Sequence, residues 1–283
     1  MERIRKVLIV VNLSKPDAKG AVEEVAKFLS DRQIDVETHA FFGKPDVSPE
    51  VDCDLAFSLG GDGTVLYTAR LLAPYSIPIM AVNIGDFGFI TEVGRAEWKQ
   101  AFERYVSGDL GLSRRIMLQT SVVRDGKQIA SHIGLNDSVI SSAGISKIVR
   151  LRVDVNGSEL GRYRADGVIV STPTGSTAHS AAAGGPILDP EMRALALVPI
   201  CPFTLSNRPI VLQGSEPVFI EVEEEQRTDV ILTVDGQDLI SLQERDRICF
   251  RLADSEALII RSDQRNFFEV LRSKLNWTGG PDA

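Results

Sequence analysis

The sequence lacks an excess of basic residues. Its 283 residues contain 31 Lys and Arg against 39 Asp and Glu, which gives a formal net charge of −8. No run of Lys or Arg forms a stripe that could follow a phosphate backbone. This charge pattern argues against a nucleic-acid partner, although a few local donors could still hold a small anionic ligand.

Cysteines and long apolar runs are also scarce. The three cysteines, Cys53, Cys201 and Cys249, are far apart and form no metal-binding or redox motif. We therefore expect a reduced, cytoplasmic compartment. The basic start and the run VLIVVNL (7–13) imitate a signal peptide, but the run is short and leads into SKPD, which favours a first β-strand. No apolar stretch approaches the roughly 20 residues of a spanning helix, so we expect no membrane partner.

Two common nucleotide-binding motifs are missing. The stretch FFGKPD (41–46) lacks the hydroxyl residue and the upstream glycine of GxxxxGK[ST], and GxGxxG does not occur. Both motifs cradle phosphates with glycine-rich backbone. A nucleotide-phosphate site in this chain would therefore belong to another class.

The first part of the chain alternates strand and helix patterns, and its length favours two domains. Continuous apolar runs typical of buried parallel strands, and segments with helical spacing, alternate at 7–13, 19–33, 54–59, 65–73 and 77–83. Repeated βα units of this kind form open parallel sheets. The pattern predicts an N-terminal α/β domain over residues 1–111 with a doubly wound, mostly parallel sheet.

Beyond residue 112 the apolar period changes to two. Hairpin turns of the Asp-Gly and Asn-Gly type are indicated by RDGK (124–127) and VNGS (155–158). The pattern predicts an antiparallel all-β C-terminal domain over residues 112–261. FFEVLRSKL (267–275) has helical spacing, and we expect the tail 262–283 to dock on the first domain.

Three glycines surround one aspartate in SLGGDGT (58–64), directly after a predicted strand. Glycine lets backbone N–H groups approach an anion, and a following helix N-terminus adds favourable partial charge. We expect Thr64 to be the N-cap of a helix that begins at Val65. A carboxylate at Asp62 would repel phosphates unless it does chemistry, binds a metal or binds a hydroxyl, and these three alternatives stay open here.

The sequence GGDGT resembles a signature of NAD kinases, diacylglycerol-type lipid kinases and, with a final serine, 6-phosphofructokinases. Three further stretches resemble motifs of the NAD kinase family, in the same order: GLNDSVIS (134–141), RADGVIVSTPTGSTAHSAAAGGPIL (164–188) and VDGQ (234–237). The resemblance extends from NIGDFGFITE (83–92) to CPFTLSNRPIVL (201–212). The chain is therefore identified by resemblance as a member of the NAD kinase family.

The resemblance implies a reaction and a set of site residues. In the family, the 2′-hydroxyl of the adenosine ribose of NAD attacks the γ-phosphate of ATP to give NADP. Asp62 would be the general base, Gly63 would bring backbone beside the ligand, and Asn136 and Asp137 would hold the dinucleotide. The further ligand contacts that the resemblance implies are Lys147, Arg164, Asp166, Thr174, Thr177, Ala178, His179, Ser180, Ala181, Ala182 and Gln237.

The resemblance also implies a divalent cation, with Mg²⁺ expected, carried by the ATP phosphates rather than by a protein cage. It implies a homodimer or homotetramer. Two positions depart from the family pattern: His179 stands where tyrosine is common, and Asp86-Phe87 replaces a less acidic pair. An imidazole at 179 could stack on the ligand or tune its affinity with pH, or it could simply line the site.

Two other functions stay open on the sequence. A diacylglycerol-type lipid kinase shares GGDGT, but the chain has no basic amphipathic segment for docking on a lipid surface. A catalytically silent module could sense NAD or NADP with the same residues, although Asp62 is intact. No motif distinguishes ATP from polyphosphate as the donor, or NAD from NADH as the acceptor.

Overall fold

The computed structural model describes residues 4–45, 48–85, 88–144, 147–204 and 206–276. The chain divides into two units. The first comprises Met1–Arg115 and Glu256–Ala283, and the second comprises Ile116–Ser255. The predicted boundaries at 112 and 262 lie close to these limits.

Strands make up most of the regular structure. The strands are β1 (Lys6–Asn12), β2 (Asp35–Phe41), β3 (Leu55–Gly60), β4 (Pro78–Asn83), β5 (Val93–Gly94), β6 (Leu112–Arg124), β7 (Lys127–Gly134), β8 (Asp137–Ser142), β9 (Val149–Val155), β10 (Ser158–Ala165), β11 (Gly167–Ser171), β12 (Ala194–Ile200), β13 (Ile210–Gln213), β14 (Val218–Val222), β15 (Val230–Val234), β16 (Asp238–Leu242) and β17 (Arg247–Ile260). The helices are α1 (Ala18–Ser30), α2 (Asp62–Leu72), α3 (Trp98–Ser107), α4 (His179–Ala182) and α5 (Phe267–Leu275).

The first unit contains a parallel sheet with the strand order β2-β1-β3-β4, and the end of β17 pairs with β4. Helix α1 leads from β1 to β2, whereas α2 leads from β3 to β4, so the strand order reverses between β1 and β3. Ligands of such sheets bind outside the carboxyl ends of the strands at this reversal. The Gly-Gly-Asp turn follows β3 directly at that point.

Aromatic packing supports the strand that leads to this turn. Phe57 of β3 is fully buried, and the Trp98 ring meets it edge-on at a centroid distance of 5.7 Å. Trp98, Phe102 and Tyr105 lie at helical spacing on α3 and are all buried. This helix was not predicted, although aromatic residues at i, i+4 and i+7 indicate a helix with one buried face.

The second unit consists of antiparallel strands. One sheet has the order β13-β12-β11-β8-β15-β16, a second set has the order β10-β9-β14-β17, and β6 pairs with β7. Inward side chains from both sets form one core. The predicted turns are present, because Asp125, Gly126, Asn156 and Gly157 all have positive φ as two-residue hairpin turns require. The predicted fold class, a parallel α/β part followed by an antiparallel β part, is confirmed.

The C-terminal part of the described chain ends in α5, which spans the residues predicted from the sequence. Its N-terminus has a capping box between Asn266 and Glu269. Just before it, Arg265 donates to both oxygens of Glu97 at 2.8 Å. Residues 277–283 of the predicted tail lie outside the described residues. None of the helices in the described ranges has the length and apolarity that crossing a membrane requires.

A buried ion pair in the second unit yields a stability prediction. The Asp246 side chain is fully buried and accepts two bonds from Arg124, at 2.8 and 2.7 Å, and one from the Gln243 N–H at 2.7 Å. Breaking such a pair leaves a charge without its partner, so we expect Asp246→Asn to lower the free energy of unfolding by about 3 kcal/mol. Urea denaturation followed by circular dichroism measures this change.

The matched control is Asp254→Asn, because the Asp254 side chain is 96% exposed and lies 3.9 Å from Arg251. Exposed pairs contribute little, so this variant should change the free energy of unfolding by less than about 0.5 kcal/mol. Equal effects of the two substitutions would contradict the prediction.

Candidate active site

Helix α2 begins at the aspartate of the glycine-rich turn. Gly61 is the N-cap, with extended backbone at φ −112° and ψ −170°, and Asp62 is the first helical residue. The prediction that Thr64 caps a helix starting at Val65 is therefore wrong. The helix begins three residues earlier than predicted, and a carboxylate in its first turn is favoured by the helix dipole.

The three glycines of the turn serve different purposes. A Cβ at Gly60 would lie 2.2 Å from Thr64 Oγ1, so the packing of Thr64 requires glycine there. A Cβ at Gly61 or Gly63 would meet no atom within 4 Å. Within the described residues, packing therefore does not require glycine at 61 or 63.

The Asp62 carboxylate is held by the loop of residues 88–91. Its Oδ2 accepts a bond from the Phe89 N–H at 2.8 Å. Its Oδ1 accepts bonds from the Ile90 N–H at 3.2 Å, the Thr91 N–H at 3.1 Å and the Thr91 hydroxyl at 3.1 Å. A Cβ at Gly88 would lie 1.9 Å from Oδ1, so this close approach requires glycine. The half-buried carboxylate therefore has a fixed orientation.

The stretch 83–92 is part of the family resemblance, but no ligand contact was predicted in it. Thr91 carries no signal in a single sequence, because its importance arises from a contact with a residue 29 positions earlier. The Asp86-Phe87 departure lies outside the described residues.

A second aspartate holds the Asn136-Asp137 dipeptide in the second unit. The Asp235 carboxylate accepts bonds from the N–H groups of Leu135, Asn136 and Asp137 at 2.8, 2.7 and 3.1 Å. The sequence analysis named Gln237 from this motif and missed Asp235. Gln237 closes the turn between β15 and β16 by donating its N–H to the Val234 carbonyl at 2.9 Å.

The Thr-Pro-Thr-Gly turn packs directly on this dipeptide. The Thr172 N–H donates to the Asn136 carbonyl at 2.8 Å, and the Thr172 hydroxyl donates to the Leu135 carbonyl at 2.5 Å. A Cβ at Gly175 would lie 2.2 Å from the Asn136 carbonyl oxygen. The structure therefore brings together two of the stretches from which the sequence predicts ligand contacts.

Three buried polar atoms of this region have no hydrogen-bond partner among the described residues: Asn136 Oδ1, Thr174 Oγ1 and Ser180 Oγ. Buried polar atoms are normally paired, and an unpaired one costs about 1–3 kcal/mol. Neighbouring Thr177 differs, because its hydroxyl donates to the Thr174 carbonyl at 3.2 Å. These three atoms retain hydrogen-bonding capacity that no described residue uses.

Asp137 has unusual electrostatics. Its side chain is buried, and desolvation together with the nearby Asp235 charge raises its pKa to about 7. Burial and a like charge both disfavour the ionised form. Near neutral pH, Asp137 can therefore either donate or accept a hydrogen bond.

Other predicted site residues occupy different places in the second unit. His179 and Ala182 are exposed, whereas Ala178 and Ala181 are half-buried. Exposed Lys147 lines a polar cavity of about 510 Å³ with residues of the loop 226–229 and of the segment 242–244.

Exposed Arg164 and Asp166 lie at the far end of β8 from Asp137. Ser171 of β11 pairs with Asp137, while Gly167 pairs with Ser141. The two ends of this strand pair are about 14 Å apart at 3.4 Å per residue. The Arg164 guanidinium lies 5.3 Å from the centre of the Phe203 ring. The structure therefore does not bring Arg164 and Asp166 beside the Asn136-Asp137 dipeptide.

Among the residues that the structure describes, no three His, Cys, Asp or Glu side chains are grouped so that they could hold a metal ion. Asp137 and Asp235 are a pair without a third ligand of these types. This part of the chain offers no all-protein cage for a divalent cation.

Comparisons with known proteins agree along the chain. The family model described as ATP-NAD kinase N-terminal domain matches residues 44–110, and that described as ATP-NAD kinase C-terminal domain matches residues 135–262. The NAD kinase of Treponema denticola is 46% identical over 278 residues, which cover 98% of each chain. The NAD kinase of Geobacter sulfurreducens is 40% identical, covering 97% of this chain and 99% of its own.

Two solved structures are similar. A crystal structure of an NAD kinase from Archaeoglobus fulgidus in complex with ATP has a TM-score of 0.76 at 25% identity, covering 97% of this chain and 100% of its own. A yeast NADH kinase complexed with NADH has a TM-score of 0.87 at 24% identity, covering 99% of this chain and 90% of its own. The yeast structure supports the fold alone.

The raised pKa of Asp137 predicts a pH-dependent stability. Because the folded state holds the Asp137 proton more tightly than the unfolded state, this group's contribution is fully present below pH 4 and is lost as the pH rises towards 7. We expect the free energy of unfolding of Asp137→Asn, relative to the original chain, to increase by about 2 kcal/mol between pH 5 and pH 8. Urea denaturation at both pH values measures this, with Asp254→Asn as the control for an exposed carboxyl. A difference that does not change with pH would contradict the prediction.

Proposed function

The chain belongs to the ATP-NAD kinase family and is a phosphotransferase, and we propose that Asp62 is the general base of its reaction. The reaction transfers the γ-phosphate of ATP to the 2′-hydroxyl of the adenosine ribose of NAD, which gives NADP and ADP. The observation that carries the proposal is the Asp62 carboxylate, which the N–H groups of residues 89–91 hold in a fixed orientation at the N-terminus of α2.

The chemical step requires little covalent work from the protein. The ribose oxygen forms a bond to the γ-phosphorus, the bond to the bridging oxygen of ADP breaks, and the hydroxyl proton passes to Asp62 and then to solvent. Positioning and neutralisation of charge supply most of the rate in such transfers. The glycine-rich N-terminus of α2 favours phosphate binding, and the Asp62 carboxylate can accept the proton of the attacking hydroxyl.

Recognition of NAD is assigned to the second unit. The unpaired Asn136 Oδ1, Thr174 Oγ1 and Ser180 Oγ would bond the dinucleotide, and Asp137 would bond ribose hydroxyls as either donor or acceptor. We propose that the other contacts implied by the family resemblance line the same ligand: Gly63, Thr177, Ala178, His179, Ala181, Ala182 and Gln237.

Three charged residues, Lys147, Arg164 and Asp166, lie away from the Asn136-Asp137 dipeptide within this chain. Their roles as phosphate or ribose contacts stay predictions. We also expect a homodimer or homotetramer, which light scattering on the purified protein measures directly.

The divalent cation is treated as part of the nucleotide substrate. We propose that the cation is held mainly by the ATP phosphates. Mg²⁺ prefers this arrangement, because it keeps several waters and binds phosphate oxygens readily. When bound, it would neutralise charge on the transferred group.

Purified protein with NAD, ATP and Mg²⁺ is expected to form NADP, measured with an NADP-specific dehydrogenase. Asp62→Asn should lower kcat by about 10²–10⁴-fold because the proton acceptor is lost. NAD affinity, measured by calorimetry, should change by less than about threefold, since the ligand contacts of the second unit are intact. Asp31→Asn removes an exposed carboxylate of the same unit and should leave kcat unchanged.

Two results would contradict the proposal in different ways. Absence of NADP above a boiled-protein control, across several divalent ions and with both ATP and polyphosphate, contradicts the reaction itself. Undiminished turnover by Asp62→Asn contradicts only the role of Asp62. A parallel assay with labelled donor and diacylglycerol tests the lipid kinase alternative.

A further inference from the structure

Thr91 is a buried polar residue that touches the proposed base. Its relative exposure is 0%, and both its N–H and its hydroxyl lie 3.1 Å from Asp62 Oδ1. It belongs to neither the glycine-rich turn nor the stretches from which ligand contacts are expected. Any effect of Thr91 on the reaction would therefore act through Asp62.

The direction of the Thr91 hydroxyl proton follows from its neighbours. Thr91 Oγ1 accepts a bond from Asn83 Nδ2 at 2.8 Å and one from the Gly88 N–H at 3.0 Å. The orientation of the Asn83 amide is fixed in turn, because its Oδ1 accepts a bond from the Gly85 N–H at 2.7 Å. A hydroxyl has one proton and two lone pairs. With both lone pairs in use, the proton of Thr91 must point to Asp62 Oδ1.

The two oxygens of Asp62 are therefore unequal. Oδ1 accepts three bonds, two of them from Thr91 and one from the Ile90 N–H. Oδ2 accepts one bond, from the Phe89 N–H. A carboxylate has about four acceptor positions shared between its oxygens. Among the described contacts, Oδ1 is fully used and Oδ2 retains acceptor capacity.

We propose that Thr91 is a positioning residue of the phosphoryl-transfer reaction. It holds Oδ1 of Asp62 and thereby turns Oδ2 towards the ribose hydroxyl, so that Oδ2 is the atom that receives the proton. Asn83 and Gly88 act through Thr91 by fixing the direction of its hydroxyl. The proposal deepens the proposed function and rests on Asp62 being the base.

The chemistry of the side chain can be separated from its volume. Valine has nearly the shape of threonine, but its side chain neither donates nor accepts hydrogen bonds, so Thr91→Val removes the hydroxyl bond to Oδ1 and leaves the N–H bonds of residues 89–91 in place. Serine keeps the hydroxyl and loses only a methyl group. A misplacement of about 1 Å at a reacting group can cost 10²-fold in rate.

The experiment compares steady-state kinetics of the original chain, Thr91→Val, Thr91→Ser and Thr68→Val, with NAD and MgATP as substrates. We expect Thr91→Val to lower kcat by about 30–100-fold while the KM for NAD changes by less than about threefold. Thr91→Ser should retain kcat within about threefold. Thr68→Val is the matched control, because buried Thr68 donates to the Thr64 carbonyl at 2.8 Å on the same helix and makes no bond to Asp62 among the described contacts.

A purely structural role for Thr91 would lower thermal stability and leave kcat of the folded enzyme intact, so kcat of Thr91→Val within threefold of the original overturns the proposal. Equal kcat losses in Thr91→Val and Thr91→Ser, or in Thr91→Val and Thr68→Val, also overturn it. If Thr91→Val does not fold, Asn83→Asp replaces it: the isosteric carboxylate draws the Thr91 proton away from Asp62 and should lower kcat by at least tenfold, and an unchanged kcat overturns the proposal. Failure of the original chain to form NADP would instead contradict the proposed function.

Discussion

In each unit, one aspartate carboxylate accepts hydrogen bonds from three successive backbone N–H groups. The positions of the candidate site residues depend on that interaction. Asp62 accepts from residues 89–91, and Asp235 accepts from residues 135–137. Bonds to an ionised acceptor are shorter and stronger than neutral ones. Glycine at 88 and at 134 permits both approaches, since a Cβ there would lie 1.9 Å from Asp62 and 2.9 Å from Asp235.

The same interaction has opposite uses in the two units. In the first unit the loop orients the carboxylate, and Asp62 itself is the proposed reacting group. In the second unit the carboxylate orients the loop, and the residues that it holds, Asn136 and Asp137, are among those that we propose bind NAD. Because Asp235 takes the local N–H donors, Asp137 is left with burial and a neighbouring negative charge, which together raise its pKa. Burial is the larger cause of this raised pKa, and the Asp235 charge adds to it.

The fold was largely predictable, because apolar periodicity depends on local spacing. The parallel strands, the Asp-Gly and Asn-Gly turns and α5 all follow from it. The structure separates β7, which ends at Gly134, from β8, which begins at Asp137. The division arises because Asp235, about 100 residues later, captures the N–H groups at 135–137. The sequence does not identify Thr91 for the same reason, because the role of Thr91 depends on a contact with Asp62 that forms only in the fold.

The chemistry of the glycine-rich turn depends on residues that lie outside the sequence motif. Gly60 is needed because Thr64 packs against it, and this requirement would exist in a protein without any ligand. Gly61 and Gly63 meet no such requirement within the described residues, and the close approach of a ligand is the reason that we propose for glycine there. Asp62 between them is anchored by a loop that the motif does not contain. The turn supplies access, and the orientation of its carboxylate is supplied by residues 88–91.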